Sequence, residues 1–167
     1  MQWQYCRVQT KTVRSLPRSS SGVLHVIVKV KRIVPQAKLP KQEHEGDAGF
    51  DLCSIEDATL KPMERKLVRT GLSIALEGGY EAQVRPKSGL AIEHGITMLN
   101  SPGTIDAGYR GEIKVIVVNL GGSAYKIESG KKICQLVFNK IEQPQIQEVE
   151  ELDDSKRGHG GFGSTGS

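Results

Sequence analysis

The segment Gly103-Thr104-Ile105-Asp106-Ala107-Gly108-Tyr109-Arg110-Gly111 sets one carboxylate in a glycine-punctuated turn, then a tyrosine, then the apolar run EIKVIVV. An acid on a tight turn braced by a strand can be aimed at one atom, which is what a general base requires. Asp and Gly are equally the ordinary residues of turns, so the segment gains weight only from its companions. In QVRPKSGLAIEHG, Pro86 fixes the backbone and Ser88-Gly89 open a helical turn. A hydroxyl and free N–H groups there suit a phosphate oxygen, and Arg85 and Lys87 add positive charge. An N-cap serine with solvated basic neighbours is the commoner use of the same residues. The C-terminal RGHGGFGSTG offers glycine backbone to wrap anionic oxygens, Arg157 for a bidentate phosphate pair and Phe162 to stack on a base. It is not a P-loop, having no Gly-Lys-Ser/Thr and no strand before it. Asp51, in AGFDLCS after a small-residue turn, suits the water shell of Mg²⁺ or a plain structural role in that turn.

These side chains need rigid elements beneath them. VLHVIVKVKRIV, from Val23, is β-branched and partly alternating and reads as a strand. KLVRTGLSIAL and GGYEAQVRP read as two more, parted by Glu77-Gly78-Gly79. EIKVIVVNL and KICQLVFNKIE follow, parted by Gly121-Gly122, and GLAIEHG is the single helical turn. Short strands with frequent Gly and Pro turns predict an all-β sandwich or barrel. Val115-Ile116-Val117-Val118 is apolar on both faces, which calls for cover by the core on one side and by a partner subunit on the other. The divisions expected are a basic extension over 1–22, a β domain over 23–142 and a polar, then glycine-rich, flexible arm over 143–167. The extension reads as a solvated tail, with an organellar transit peptide as the alternative.

The chain of 167 residues is 37% hydrophobic and 25% charged, in keeping with one soluble domain. No apolar stretch approaches the roughly 20 residues of a membrane-spanning helix. Three widely spaced cysteines fit a reducing compartment, and a cytoplasmic location is expected. Four scattered histidines give no zinc-ligand spacing. The net charge of +4 hides an asymmetry: residues 1–42 hold nine Lys/Arg and no acid, leaving 14 against 19 acids in the rest. A basic face for nucleic acid is therefore not expected of the folded body.

Five segments in order, AGFDL (48–52), RPKSGLA (85–91), NSPGTIDAGYRGE (100–112), GKKICQLVF (130–138) and RGHGGFGSTG (157–166), resemble the five motifs of the trimeric deoxyuridine triphosphatase (dUTPase) family. The resemblance covers about residues 24–166. It implies an antiparallel, jelly-roll-like β-sandwich or barrel (a β-clip) with a flexible glycine-rich arm, assembled as a homotrimer whose sites are shared between subunits. It implies Mg²⁺-assisted hydrolysis of dUTP to dUMP and pyrophosphate, which keeps uracil out of DNA and supplies dUMP for thymidylate synthesis. Asp106 would be the general base orienting water towards the α-phosphorus, and Asp51 would hold the metal through water. Arg85, Lys87, Ser88, Gly89 and Gln135 match phosphate-end positions. Arg157, Gly163, Ser164 and Thr165 match the closing arm, with Phe162 stacked on uracil. Asn100, Gly103, Thr104, Ile105, Tyr109 and Lys114 match the base and sugar positions, on a hairpin expected between about Asn100 and Lys114. Two departures stand out: Lys87 and Lys132 occupy places where the family usually has Arg, keeping the charge but losing the planar fork. A deaminase of dCTP sharing the fold, a non-enzymatic regulatory member and a nucleic-acid binder using residues 1–42 are the rival expectations.

Overall fold

The structure, a computed structural model, describes residues 26–160. Eleven strands and one helix follow in order: β1 (Lys29–Arg32), β2 (Gly49–Cys53), β3 (Ala58–Leu60), β4 (Arg65–Arg69), β5 (Leu72–Ala75), β6 (Tyr80–Arg85), α1 (Ser88–His94), β7 (Ile96–Met98), β8 (Gly103–Asp106), β9 (Lys114–Asn119), β10 (Tyr125–Ile127) and β11 (Lys132–Lys140). All pairings are antiparallel. A four-stranded sheet runs β2-β11-β6-β8 and a three-stranded sheet β4-β9-β7, with two-stranded ribbons β1-β5 and β10-β3. This is the expected all-β architecture.

The four-stranded sheet separates core from chemistry by simple alternation. In β6, Ala82 and Val84 are buried and join Leu52, Ile105, Cys134 and Leu136 in the core. Glu81, Gln83 and Arg85 take the opposite face. Val68, Met98, Val115 and Val117 of the three-stranded sheet belong to the same hydrophobic cluster. Burying such residues contributes about 1.5–3 kcal/mol for each large aliphatic side chain.

Several expected boundaries change. The run 66–76 is two strands, because Gly71 at φ +67° turns the chain between β4 and β5. Only Lys29–Arg32 of the first expected strand pairs, with β5, and residues 23–25 lie outside the described part. The turn at Gly78-Gly79 is present, but β5 and β6 join different sheets. Asp51 lies mid-strand in β2, and Asp106 ends β8 just before a turn. No hairpin joins residues 100 and 114: β8 pairs with β6, whereas β9 pairs with β4 and β7. Ile116 is only partly covered, in register with Leu67, which is 56% exposed.

Candidate active site

The divergence of β8 from β9 opens a cleft of about 550 Å³. Asn100, Gly103, Thr104, Ile105, Asp106, Tyr109 and Lys114 all line it. Among the described residues β8 is the edge of its sheet, with no strand on the side away from β6. The outward backbone groups of an edge strand can pair with a planar ligand as a strand would. Asp106 stands exposed at the end of β8, and its carbonyl accepts the Tyr109 N–H at 3.0 Å. Tyr109 is 46% exposed, and its hydroxyl donates to the Glu112 carbonyl at 3.0 Å. Ile105 lines the cleft although its side chain belongs to the core and is 7% exposed.

A second group forms at the far side of the same sheet. Asp51, Gln135 and Arg85 stand in one row across β2, β11 and β6, on the face opposite the core. Lys87 Nζ donates to Asp51 Oδ1 at 2.5 Å, and Lys132 Nζ donates to Oδ2 at 2.7 Å. Lys132 also bridges to Glu43. Burial alone would push the Asp51 carboxyl up, but hydrogen bonds from Lys132 and Lys87 outweigh it and hold it below the ordinary carboxylate range. Asp51 and then Glu43 in turn push the Lys132 ammonium up. Each lysine takes one carboxylate oxygen, so two point charges stand around Asp51 without a planar fork. Gln135 Nε2 donates to the Pro86 carbonyl at 3.0 Å, tying β11 to the turn before α1. Ser88 and Gly89 are exposed in the first turn of α1, and Lys87 occupies its N-cap position without a side-chain cap. Arg85 donates twice to Gln83 Oε1, at 2.9 and 2.6 Å.

Within one chain the two groups are well apart. None of Asp51, Lys87, Ser88 or Gln135 lines the cleft that holds Asp106. Asp51 is in register with Gln135, while Asp106 is in register with Glu81 and, beyond it, Asn139. Four residues along β11 and three strand spacings separate these rows, about 20 Å in all. Arg157 lies in an exposed turn where its Nε donates to the Gly160 carbonyl at 2.8 Å. Phe162, Gly163, Ser164 and Thr165 fall outside the described residues. No group of three or more His, Cys, Asp or Glu among the described residues could cage a metal ion. The two ammonium groups suit phosphate rather than a cation, and the lone carboxylate between them suits a hydrogen bond to a metal's water ligands rather than direct coordination.

Lys132, Glu43 and Glu112 were not among the expected site residues. Lys132 had a local signal, since it stands in the fourth motif where the charge is retained. Glu43 and Glu112 are placed by pairings distant in sequence.

The dUTPase family model matches residues 35–166. The chain belongs to the dUTPase family. It is 61% identical over 138 residues to the deoxyuridine 5'-triphosphate nucleotidohydrolase of Clostridium kluyveri, covering 83% of this chain and 96% of that protein. The enzyme of the same name from Wolinella succinogenes is 51% identical over 139 residues, covering 83% and 93%. The dUTPase of Staphylococcus bacteriophage 80alpha, solved with dUpNHpp, superposes with a TM-score of 0.78 at 28% identity, covering 84% of this chain and 99% of that one. A mutant dUTPase from phage phi11 of S. aureus, described with a structural Mg(II) ion, gives 0.71 at 25% identity over 77% and 99%. The dUTPase match extends through residues 161–166, beyond the described part.

Proposed function

We infer that this protein hydrolyses dUTP to dUMP and pyrophosphate. The observation that carries the inference is the cleft between the free edge of β8 and the start of β9, floored by Tyr109 and bordered by Asp106, in a chain of the dUTPase family. A uracil ring seated there bonds backbone N–H and C=O groups through its N3–H donor and O4 acceptor. Cytosine reverses both, leaving buried groups unpaired at about 1–3 kcal/mol each. The Tyr109 ring lies beneath the deoxyribose and excludes a 2′-hydroxyl. Asn100 and Thr104 flank base and sugar, and Lys114 acts through its main chain.

Asp106 accepts a proton from the water that attacks the α-phosphorus. Lys87, Ser88, Gly89, Gln135 and Arg85 hold the phosphate oxygens, and Asp51 is the residue that would hold Mg²⁺ through water. The ion would supply neutralisation of the charge that develops on the phosphate oxygens. Arg157, Phe162, Gly163, Ser164 and Thr165 close over the nucleotide, exclude water and complete the phosphate shell.

The separation of Asp106 from Asp51 supports sites shared between subunits of a homotrimer. Both carboxylates would act at the phosphates of one nucleotide, whereas within one chain they stand about 20 Å apart, on opposite edge strands of the sheet. In this reading one chain supplies Asp106 and a neighbour supplies Asp51. The row of exposed Leu67, half-buried Ile116 and exposed Leu99, and the exposed Ile146 and Leu152 nearer the C-terminus, offer apolar surface for such contacts. Among the described residues no helix is long and apolar enough to cross a membrane. The three widely spaced cysteines support a reducing compartment, and we place the reaction in the cytoplasm.

The test is pyrophosphate release from dUTP with Mg²⁺, read as inorganic phosphate after pyrophosphatase treatment. Release with dUTP and no ammonia from dCTP is expected. Ammonia from dCTP without pyrophosphate from dUTP would assign the cleft to a deaminase instead.

A further inference from the structure

We propose that Glu112, anchored to Arg69 and Gly71, is a positioning residue that fixes the Tyr109 floor and so sets the discrimination between deoxyribose and ribose. This rests on the assignment of the cleft to a deoxynucleotide. Glu112 precedes β9, and its side chain is only 11% exposed, low for a carboxylate in a loop. It folds back over the corner between β4 and β5. Both its oxygens lie 3.1 Å from Arg69 Nε, and Oε1 also accepts the Gly71 N–H at 2.9 Å. The corner cannot easily shift: a Cβ on Gly71 would meet Val34 Cγ2 at 2.7 Å and Ala37 Cβ at 3.0 Å.

The same corner grips the neighbours of Glu112. Thr70 Oγ1 donates to the Ile113 carbonyl at 2.6 Å, and the Ile113 N–H donates to the Leu72 carbonyl at 2.8 Å. Ser73 Oγ donates to the Arg110 carbonyl at 2.7 Å. Gly111 is the exception, and its surface is taken by the tyrosine. A Cβ there would lie 2.4 Å from Tyr109 Oη and 2.6 Å from Cζ. The ring thus rests on Gly111 and is tethered to the carbonyl of Glu112. An ion pair with a half-exposed arginine contributes little by itself. The N–H bond to a largely buried carboxylate is the stronger link. The Ile113 N–H, in the same peptide unit as the Glu112 carbonyl, and Ser73 at Arg110 hold the loop from either side, and the Glu112 side chain is the further anchor that fixes the tilt of the tethering carbonyl. Releasing that side chain lets the carbonyl tilt and the ring shift with it, which leaves room for a 2′-hydroxyl.

The test measures kcat and KM for dUTP and UTP in the full chain and in Glu112→Ala, Glu112→Gln and Arg69→Met, with Tm recorded for each. Glu112→Ala is expected to lower the dUTP-over-UTP ratio of kcat/KM by about tenfold or more. Glu112→Gln and Arg69→Met each keep an oxygen for Gly71 and should hold the ratio within about threefold. A Glu112→Ala ratio within about twofold of the parent, whatever its Tm, overturns the proposal. Should that variant not fold, Glu112→Leu, which fills the same space without an acceptor for Gly71, replaces it, and a ratio within about twofold of the parent overturns the proposal equally. A parent chain that cleaves no dUTP would instead remove the nucleotide assignment itself.

Discussion

Asp106 is exposed at the cleft, so its replacement tests chemistry with little disturbance of packing. Asp106→Asn should leave binding of a non-hydrolysable dUTP analogue near the parent value and lower kcat by roughly 10²–10⁴-fold, the usual worth of a general base. Calorimetry with the analogue, beside single-turnover hydrolysis, checks both halves. Asp51 makes a different demand, because its carboxylate separates two ammonium groups. Its folded acidity lies below the ordinary value of 3.8, so the stability it contributes is full above that value and is lost as the pH falls further. Denaturant titrations of the parent and Asp51→Asn should therefore differ at neutral pH and converge below about pH 4. A gap that widens with acidification would contradict the pairing.

At the scale of elements, the motifs are legible because each is a short local run: residues of the third line the cleft, and Asp51, Gln135 and Arg85 stand in one row of the sheet. The central strands β6, β9 and β11 were legible too, having long β-branched or alternating runs. The strands of three to five residues at β2, β3, β7, β8 and β10 were not, since such lengths carry too little periodicity. The corner at Gly71 was hidden inside a continuous apolar pattern, and the supposed hairpin failed because pairing partners are chosen across the whole chain. Lys132 meeting Asp51 is a contact of that non-local kind. The C-terminal arm belongs to this scale as well. Removing residues 157–167 should abolish turnover and leave the oligomer intact, checked by activity and light scattering together. Retained full activity would make the arm a passive end.

For the whole molecule, the separation of about 20 Å between Asp106 and Asp51 supports the proposal that active sites are built from more than one chain. Asp106→Asn and Asp51→Asn, each nearly inactive alone, should regain activity when refolded together. Random assembly gives roughly a quarter of sites both intact carboxylates. No recovery in verified mixed oligomers would return the site to a single chain. The most direct measurement concerns the bond that breaks. Hydrolysis of dUTP in H₂¹⁸O with Mg²⁺, followed by mass spectrometry of both products, should put the heavy oxygen in dUMP and none in pyrophosphate. Label in pyrophosphate, or no cleavage at all, would contradict a water aimed by Asp106 at the α-phosphorus.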